Sequence, residues 1–228
     1  MDIKLINIEK SFNNKKLYNK FSLTFEYGKV NCILGKSGCG KSTLLNIISG
    51  LEEFQSGKII GVPSKIAYVF QEDRLIEWKS IYKNMELPLL KLYKKDERKE
   101  KIERMLKVME LDDYIDSFPK ELSGGMRQRV NIARAFLYEE GLLLMDEPFK
   151  SLDENSKENV IKIFKEVHLE KNNTVIMVTH DIREALDIAD NIFILGDNPV
   201  NLMAHFKQIR KLEKDTIEEK ILYILKNK

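Results

Sequence analysis

Apolar residues follow two rhythms along this chain. Val30-Asn31-Cys32-Ile33-Leu34 is a nearly unbroken run, the pattern of a strand buried on both faces. Leu44, Ile47, Ile48 and Leu51 then recur at i, i+3, i+4 and i+7, which is one face of a helix. The same alternation of rhythms continues. Ile66–Phe70, Leu142–Met145, Thr174–Thr179 and Ile192–Leu195 read as buried strands. Helical stripes fall on Ile102, Met105, Leu106 and Met109 within about Asp96–Leu111, and on Val130, Ala133, Phe136 and Leu137. Others fall on Val160, Ile163, Phe164 and Val167, and on Ile182, Ala185, Leu186 and Ala189. A last short helix carries Ile217, Ile221, Leu222 and Leu225, with Thr216 and Glu219 as its expected cap. Near the start, Ile3, Leu5, Ile6 and Ile8 sit in a strand-like pattern. Phe21, Leu23 and Phe25 alternate strictly with polar residues, a half-buried strand. The pattern predicts an α/β fold around a mostly parallel sheet.

Composition narrows this little. With 228 residues the chain suits one domain, or one domain plus a subdomain. Its 38 basic and 36 acidic residues give a net charge of +2, which makes no electrostatic case for nucleic acid as the main partner. Cys32 and Cys39 lie in one strand and the turn after it, poorly placed to bridge each other, and are read as reduced. No signal-peptide pattern opens the chain and no run of 18 apolar residues occurs. Membrane contact is therefore expected through another protein. Residues 72–121 differ in texture, with Trp78, Tyr82, Met85, Leu87, Leu89 and Leu90 interleaved with charges, and read as a helical insertion. The Lys/Glu run 94–103 is a solvated face.

Candidate chemistry gathers where strands end. Gly35-Lys36-Ser37-Gly38-Cys39-Gly40-Lys41-Ser42-Thr43 joins the first buried strand to the first helix. Glycines in such a turn let successive N–H groups point at an anion, and the helix start adds partial positive charge. The dipole contributes only about 0.3–2 kcal/mol, so Lys41 and a Mg²⁺ held by Ser42 must carry much of a triphosphate's charge. Cys39 in this turn is expected to react with thiol reagents, with MgATP protecting it. Gln71 ends another strand, where ligands of parallel sheets bind. Asp146-Glu147 ends the 142–145 run. Beside a phosphate loop, the first acid can hold Mg²⁺ and the second can take a proton from water. His180 ends the next strand, a candidate for the γ-phosphate. The loop, Gln71, Asp146-Glu147 and His180 thus share one sheet edge, that of a P-loop NTPase, and the reaction is attack of water on a γ-phosphate.

Ser123-Gly124-Gly125 opens a second helix with a good N-cap and bare amides. Arg127 and Arg129 in its first turns oppose the helix dipole, which is expected if something anionic docks there. One triphosphate needs one cradle. The surplus cradle predicts a head-to-tail dimer, with ATP between each P-loop and the partner's Ser123-Gly124-Gly125.

These motifs, taken in order, resemble an ATP-binding subunit of an ABC transporter over nearly the whole length. They are the P-loop 35–43, Gln71, Leu122-Ser-Gly-Gly-Met-Arg-Gln-Arg129, Asp146-Glu147-Pro148, Ser151-Leu152-Asp153 and His180. The resemblance implies a P-loop NTPase with a mostly parallel RecA-like sheet, an N-terminal antiparallel β subdomain and an α-helical signature subdomain. It implies one ABC ATPase domain over 1–228, with 1–71 and 126–228 as catalytic core and about 72–125 as helical subdomain. It further implies ATP and Mg²⁺ as cofactors and that Phe12 stacks on adenine. Lys41 and the amides of 36–43 hold the β- and γ-phosphates. Ser42, Gln71 and Asp146 serve Mg²⁺, and Glu147 is the general base. Asp153 links the two sites of a dimer, and His180 senses the γ-phosphate. The region Gln71–Tyr82, around Trp78, docks transmembrane permease subunits, and a solute-binding protein acts indirectly. The chain is then cytoplasmic, peripheral on the inner face of the cell membrane. Phe70–Trp78 and Asp146–Phe149 resemble importers of the nitrate, sulfonate and taurine group, which includes thiamine-precursor importers, although Glu77 stands where that group usually shows proline. An exporter's ATPase and a soluble, non-transport ABC ATPase are the competing readings.

Overall fold

The computed structural model describes residues 1–138, 141–197 and 199–226. Their packing falls into two units: Met1–Ile66 with Gly141–Glu147 and Asn172–Lys228, and Ala67–Glu140 with Pro148–Lys171. In chain order the strands are β1 (Ile3–Phe12), β2 (Lys15–Phe25), β3 (Val30–Gly35), β4 (Ser56–Ile60), β5 (Ile66–Val69), β6 (Leu142–Asp146), β7 (Thr174–Val178), β8 (Asn191–Gly196) and β9 (Asn201–Lys207). The helices are α1 (Lys41–Ser49), α2 (Ile81–Glu86), α3 (Lys95–Val108), α4 (Gly124–Leu137), α5 (Glu154–Lys171), α6 (Ile182–Ile188) and α7 (Lys214–Lys226).

In the first unit, β2, β1 and β4 form a three-stranded antiparallel sheet. Asn13 and Asn14 turn β1 into β2 with φ of 44° and 65°, a conformation that asparagine tolerates better than most residues. Ile3 and Leu5 face inward. A bulge between Leu5 and Ile8, with Asn7 at φ 51°, then shifts the parity so that Ile8 and Lys10 are the buried positions.

The larger sheet of this unit runs β6-β7-β3-β8 in parallel, with β9 antiparallel on β8. Every residue of β3, β6 and β7 is buried, as their unbroken apolar runs require. Asn31 is the polar exception in β3. Its Nδ2 donates to the carbonyls of Glu26, Lys29 and Val175, and its Oδ1 accepts from Glu26 N and Asn191 Nδ2. A buried amide so fully bonded costs little and ties β3 to both neighbours. Helix α1 buries Leu44, Leu45, Ile47 and Ile48 and packs on β6 and β7.

Two expectations change here. A ninth strand, β9, comes after what reads as the last core strand; its partly exposed residues lack a clean alternation. Helix α7 begins before Thr216, with Ile217 N bonding to Glu213 O and the Thr216 hydroxyl donating to Glu213 Oε2. Thr216 is therefore inside the helix and is not its cap.

In the second unit, α3 packs on α2 and α4, and α5 on α4. Buried Asn84 clamps the turn before α2. Its Oδ1 accepts from Ile76 N at 2.8 Å, and its Nδ2 donates to the carbonyls of Ile76, Lys79 and Ser80. That clamp holds Trp78 on the surface, 79% exposed. Glu86 is buried between Lys83 Nζ at 2.9 Å and Arg98 Nε at 3.1 Å. Those cations, the Lys83 hydrogen bond first, hold its carboxyl below the usual range.

Candidate functional site

The site of the first unit is built on strand register. Ile33 of β3 and Asp146 of β6 both pair with Val178 of β7. β6 and β7 therefore end level and β3 runs two residues further to Gly35, so their C-terminal extensions arrive at one edge: the glycine turn after β3, Glu147 after β6, and Thr179-His180 after β7.

The turn after β3 is shaped by glycine. Gly38 and Gly40 have φ of 76° and 111°, a region costly for side-chain-bearing residues. A Cβ on Gly40 would also lie 3.1–3.2 Å from Leu17, the Tyr18 hydroxyl and Val200. Tyr18 is buried and donates its hydroxyl to Gly40 O at 2.9 Å, which fixes the turn from below. Gly40 is the N-cap of α1 and offers no side-chain acceptor, so the helix start is left for another acceptor. Lys41 is buried and donates to Gly35 O and Lys36 O at 2.9 Å each. Its charge is thus held within the turn. Ser42 and Lys36, Ser37 and Gly38 are exposed, while Thr43 is half-buried.

Cys39 corrects an expectation. It is 2% exposed, and burial pushes its thiol up, with Lys41 pulling it partly back. The turn's cysteine is shielded, and ready alkylation is not what this geometry gives. Burial likewise pushes the Cys32 thiol up, and both cysteines are free.

Asp146 is buried at the end of β6. Glu147 has φ of 45° while its N–H donates to Val178 O at 2.9 Å. A glutamate in that region carries strain of about 1–3 kcal/mol, a feature that clusters at functional sites. Its Oε1 lies 3.3 Å from His180 Nδ1. Behind His180, the Thr179 hydroxyl donates to buried Glu184 at 2.7 Å and accepts from Asp181 N at 3.0 Å. Asp181 caps α6 through Arg183 N and Glu184 N. Phe12, at the end of β1, shares a cleft of about 270 Å³ with Ser37, Gly38, Cys39, Lys15, Lys16, Leu17 and Asp197.

The remaining candidates belong to the second unit. Gln71 is exposed beyond β5. Ser123 caps α4, accepting from Met126 N at 3.2 Å. A Cβ on Gly125 would come within 3.2 Å of Ser151 O, and one on Gly124 would meet only the tip of Arg127 at 3.9 Å. Arg127 Nε bonds Asp73 Oδ2 at 2.8 Å, and Arg129 donates to Met109 O at 2.8 Å and pairs with Glu110 at 3.7 Å. Both cations have partners in their own unit, so their placement is accounted for without a docked anion. Asp153 accepts from Ser156 N at 3.0 Å, capping the start of α5, and that hydrogen bond lowers its carboxyl pKa. One residue escaped the sequence reading: Lys10, whose ammonium lies 4.5 Å from the centroid of the Phe12 ring.

A glycine turn around a buried lysine, with an aspartate and a strained glutamate ending a parallel strand two places away in the same sheet, defines a P-loop NTPase. A family profile described as ABC transporter matches residues 18–150. The aliphatic sulfonates import ATP-binding protein SsuB of Bacillus cereus is 38% identical over 212 residues, covering 87% of this chain and 83% of its own length. The sulfate/thiosulfate import ATP-binding protein CysA of Mannheimia succiniciproducens is 35% identical over 224 residues, and this chain spans 63% of its length. A solved dimeric post-hydrolysis state of the ATP-binding cassette MJ0796, bound to ADP and Pi, superposes with a TM-score of 0.80 at 32% identity. The match covers 90% of this chain and 98% of that one. The chain belongs to the ABC transporter family, among its ATP-binding ATPases. No helix among the described residues is long and apolar enough to cross a membrane.

Proposed function

We propose that this chain hydrolyses MgATP as one of two head-to-tail ATP-binding subunits that power an ABC importer from the cytoplasmic face. One observation carries the chemistry: Glu147, strained and 3.3 Å from His180, comes directly after Asp146 on the edge that bears the Lys41 turn. Lys41 and the amides of 36–43 hold the β- and γ-phosphates. Glu147 accepts the proton of the attacking water, and His180 reaches the γ-phosphate. Phe12 stacks on the base above the loop.

Ser42 and Asp146 fit a Mg²⁺ site. They are hard oxygen donors, one after the glycine turn and one ending β6 at the same sheet edge, and Mg²⁺ is usually held by one or two protein oxygens plus substrate phosphates. The ion, when bound, neutralises charge developing on the phosphates. The roles of Gln71 toward Mg²⁺, of Ser123, Gly124 and Gly125 toward the partner's nucleotide, and of Asp153 between sites are proposed from the family resemblance.

The cargo is proposed to be a small oxyanion such as a sulfonate, taurine or nitrate, or a thiamine precursor. The names of the sulfonate and sulfate relatives support the first class. The exposed Trp78 surface within Gln71–Tyr82 is proposed to dock the permease, through which a solute-binding protein acts. Reconstitution with the permease in vesicles tests the whole reading. Permease-stimulated hydrolysis with ATP-driven sulfonate or taurine uptake is expected. ATP-driven efflux, or hydrolysis indifferent to any permease, contradicts it.

A further inference from the structure

Lys10 is a charged residue with no place in the chemistry so far. It lies on β1, two residues before Phe12, at a position that the bulge near Asn7 turns inward. It is only 7% exposed. Its ammonium bonds the Glu52 carboxylate and donates to Glu53 O at 2.7 Å. It also sits 4.5 Å from the centroid of the Phe12 ring. Burying a lysine is costly unless its charge is compensated, and here one carboxylate, one carbonyl and one aromatic face do so.

Phe12 itself is 45% exposed. The cleft it shares with Ser37, Gly38 and Cys39 does not have Lys10 in its wall. One face of the ring is therefore covered by the ammonium, and the ring is left open toward the phosphate loop. We propose that Lys10, anchored by Glu52, is a positioning residue for nucleotide binding: it fixes the plane of Phe12 and withdraws electron density from the face a purine stacks on. An aromatic face is negative because of its quadrupole, and a cation on one side draws on that density. The opposite face then repels an electron-rich base less. An exposed aromatic pinned in this way also loses less rotamer freedom when the base arrives.

The inference rests on the reading of Phe12 as the base platform, and the test separates the two. MgATP and inorganic tripolyphosphate affinities are measured for the full chain and for Phe12→Ala, Lys10→Met, Lys10→Arg, Glu52→Gln and the double variant Lys10→Met/Phe12→Ala. Lys10→Met is expected to weaken MgATP about three- to tenfold, the cost of ordering one side chain on binding. It is expected to leave tripolyphosphate affinity and saturating turnover within about twofold, since the phosphate loop does not touch Lys10. Lys10→Arg restores affinity. Glu52→Gln weakens MgATP in the same direction but less, and serves if Lys10→Met does not fold. In the Phe12→Ala background, Lys10→Met has no further effect. If Phe12→Ala leaves MgATP affinity intact, the base-platform reading fails. If Phe12→Ala weakens it while Lys10→Met and Glu52→Gln do not, the Lys10 inference alone fails. Equal loss of tripolyphosphate and MgATP in the Lys10 variant, or an undiminished effect on top of Phe12→Ala, overturns it as well.

Discussion

Helices α1 and α4 both start beside glycine, and they start differently. Helix α1 is capped by Gly40 in a left-handed conformation, with no side chain to accept from its amides. The buried Lys41 ammonium sits inside the same turn, on Gly35 O and Lys36 O. Helix α4 is capped by Ser123, whose hydroxyl already accepts from Met126 N. The nearby Arg127 and Arg129 are bound to Asp73, Met109 O and Glu110. The first start therefore has uncapped amides with a lysine held inside the same turn, while the second is capped by a side chain and its arginines are turned to neighbouring groups. That difference makes one a self-sufficient phosphate cradle and the other an auxiliary one. On the reading proposed above, the first binds nucleotide alone and the second adds only to a nucleotide that another molecule brings.

Chemistry separates the two starts most strongly. Glu147 shares the sheet edge of α1, and Glu147→Gln is expected to lower turnover by about 10²- to 10⁴-fold, the usual range for loss of a general base. MgATP affinity should stay within about twofold. Near-normal turnover would remove Glu147 from that role. Charge comes next. Lys41→Ala is expected to reduce MgATP affinity about 10- to 100-fold, as loss of a charge-assisted hydrogen-bond donor does. Ser123→Arg should leave the monomer's affinity unchanged and still abolish turnover. Equal affinity losses in the two variants would erase the distinction.

Backbone strain gives a smaller contrast. Gly40→Ala forces a Cβ onto φ 111° within 3.1–3.2 Å of three side-chain atoms. It is expected to destabilise the turn by about 1–2 kcal/mol and to weaken MgATP in proportion. Gly124→Ala, whose Cβ would meet only the tip of Arg127 at 3.9 Å, should leave thermal stability within about 0.5 kcal/mol and show itself only in turnover. The smallest effect concerns Cys39. Burial raises its thiol, so thiolate forms only at higher pH than for a free cysteine. Iodoacetamide labelling at pH 8 should be slower than for a free thiol and should climb only beyond the usual thiol range. By the same sign, its contribution to stability is complete below the unfolded thiol pKa and is lost as pH rises through the higher folded one. Rapid labelling at pH 8 would contradict the shielded geometry.

How far each feature could be read in advance depends on how it is encoded. The core strands and the glycine turn were legible because full burial writes itself as an unbroken apolar run and phosphate binding as spaced glycines. Asp146, Glu147 and His180 were legible as residues at strand ends. Their alignment depends on register, and the strain at Glu147 on a dihedral angle, and neither is written in residue type. Strand β9 was missed because its residues are partly exposed along most of its length and carry no alternation. Lys10 was missed because a bulge reverses which residues of β1 face inward. Thr216 misled because the helix start is set by Glu213, whose backbone carbonyl takes the first turn's amide.

Turnover by this protein requires, on the reading proposed above, that two molecules close over one nucleotide. Sedimentation velocity of Glu147→Gln with saturating MgATP measures this most directly, with Glu147→Gln/Ser123→Arg run beside it. A dimer is predicted for the first and a monomer for the second. A monomer that binds MgATP fully in the first case, or an equally stable dimer in the second, would contradict it.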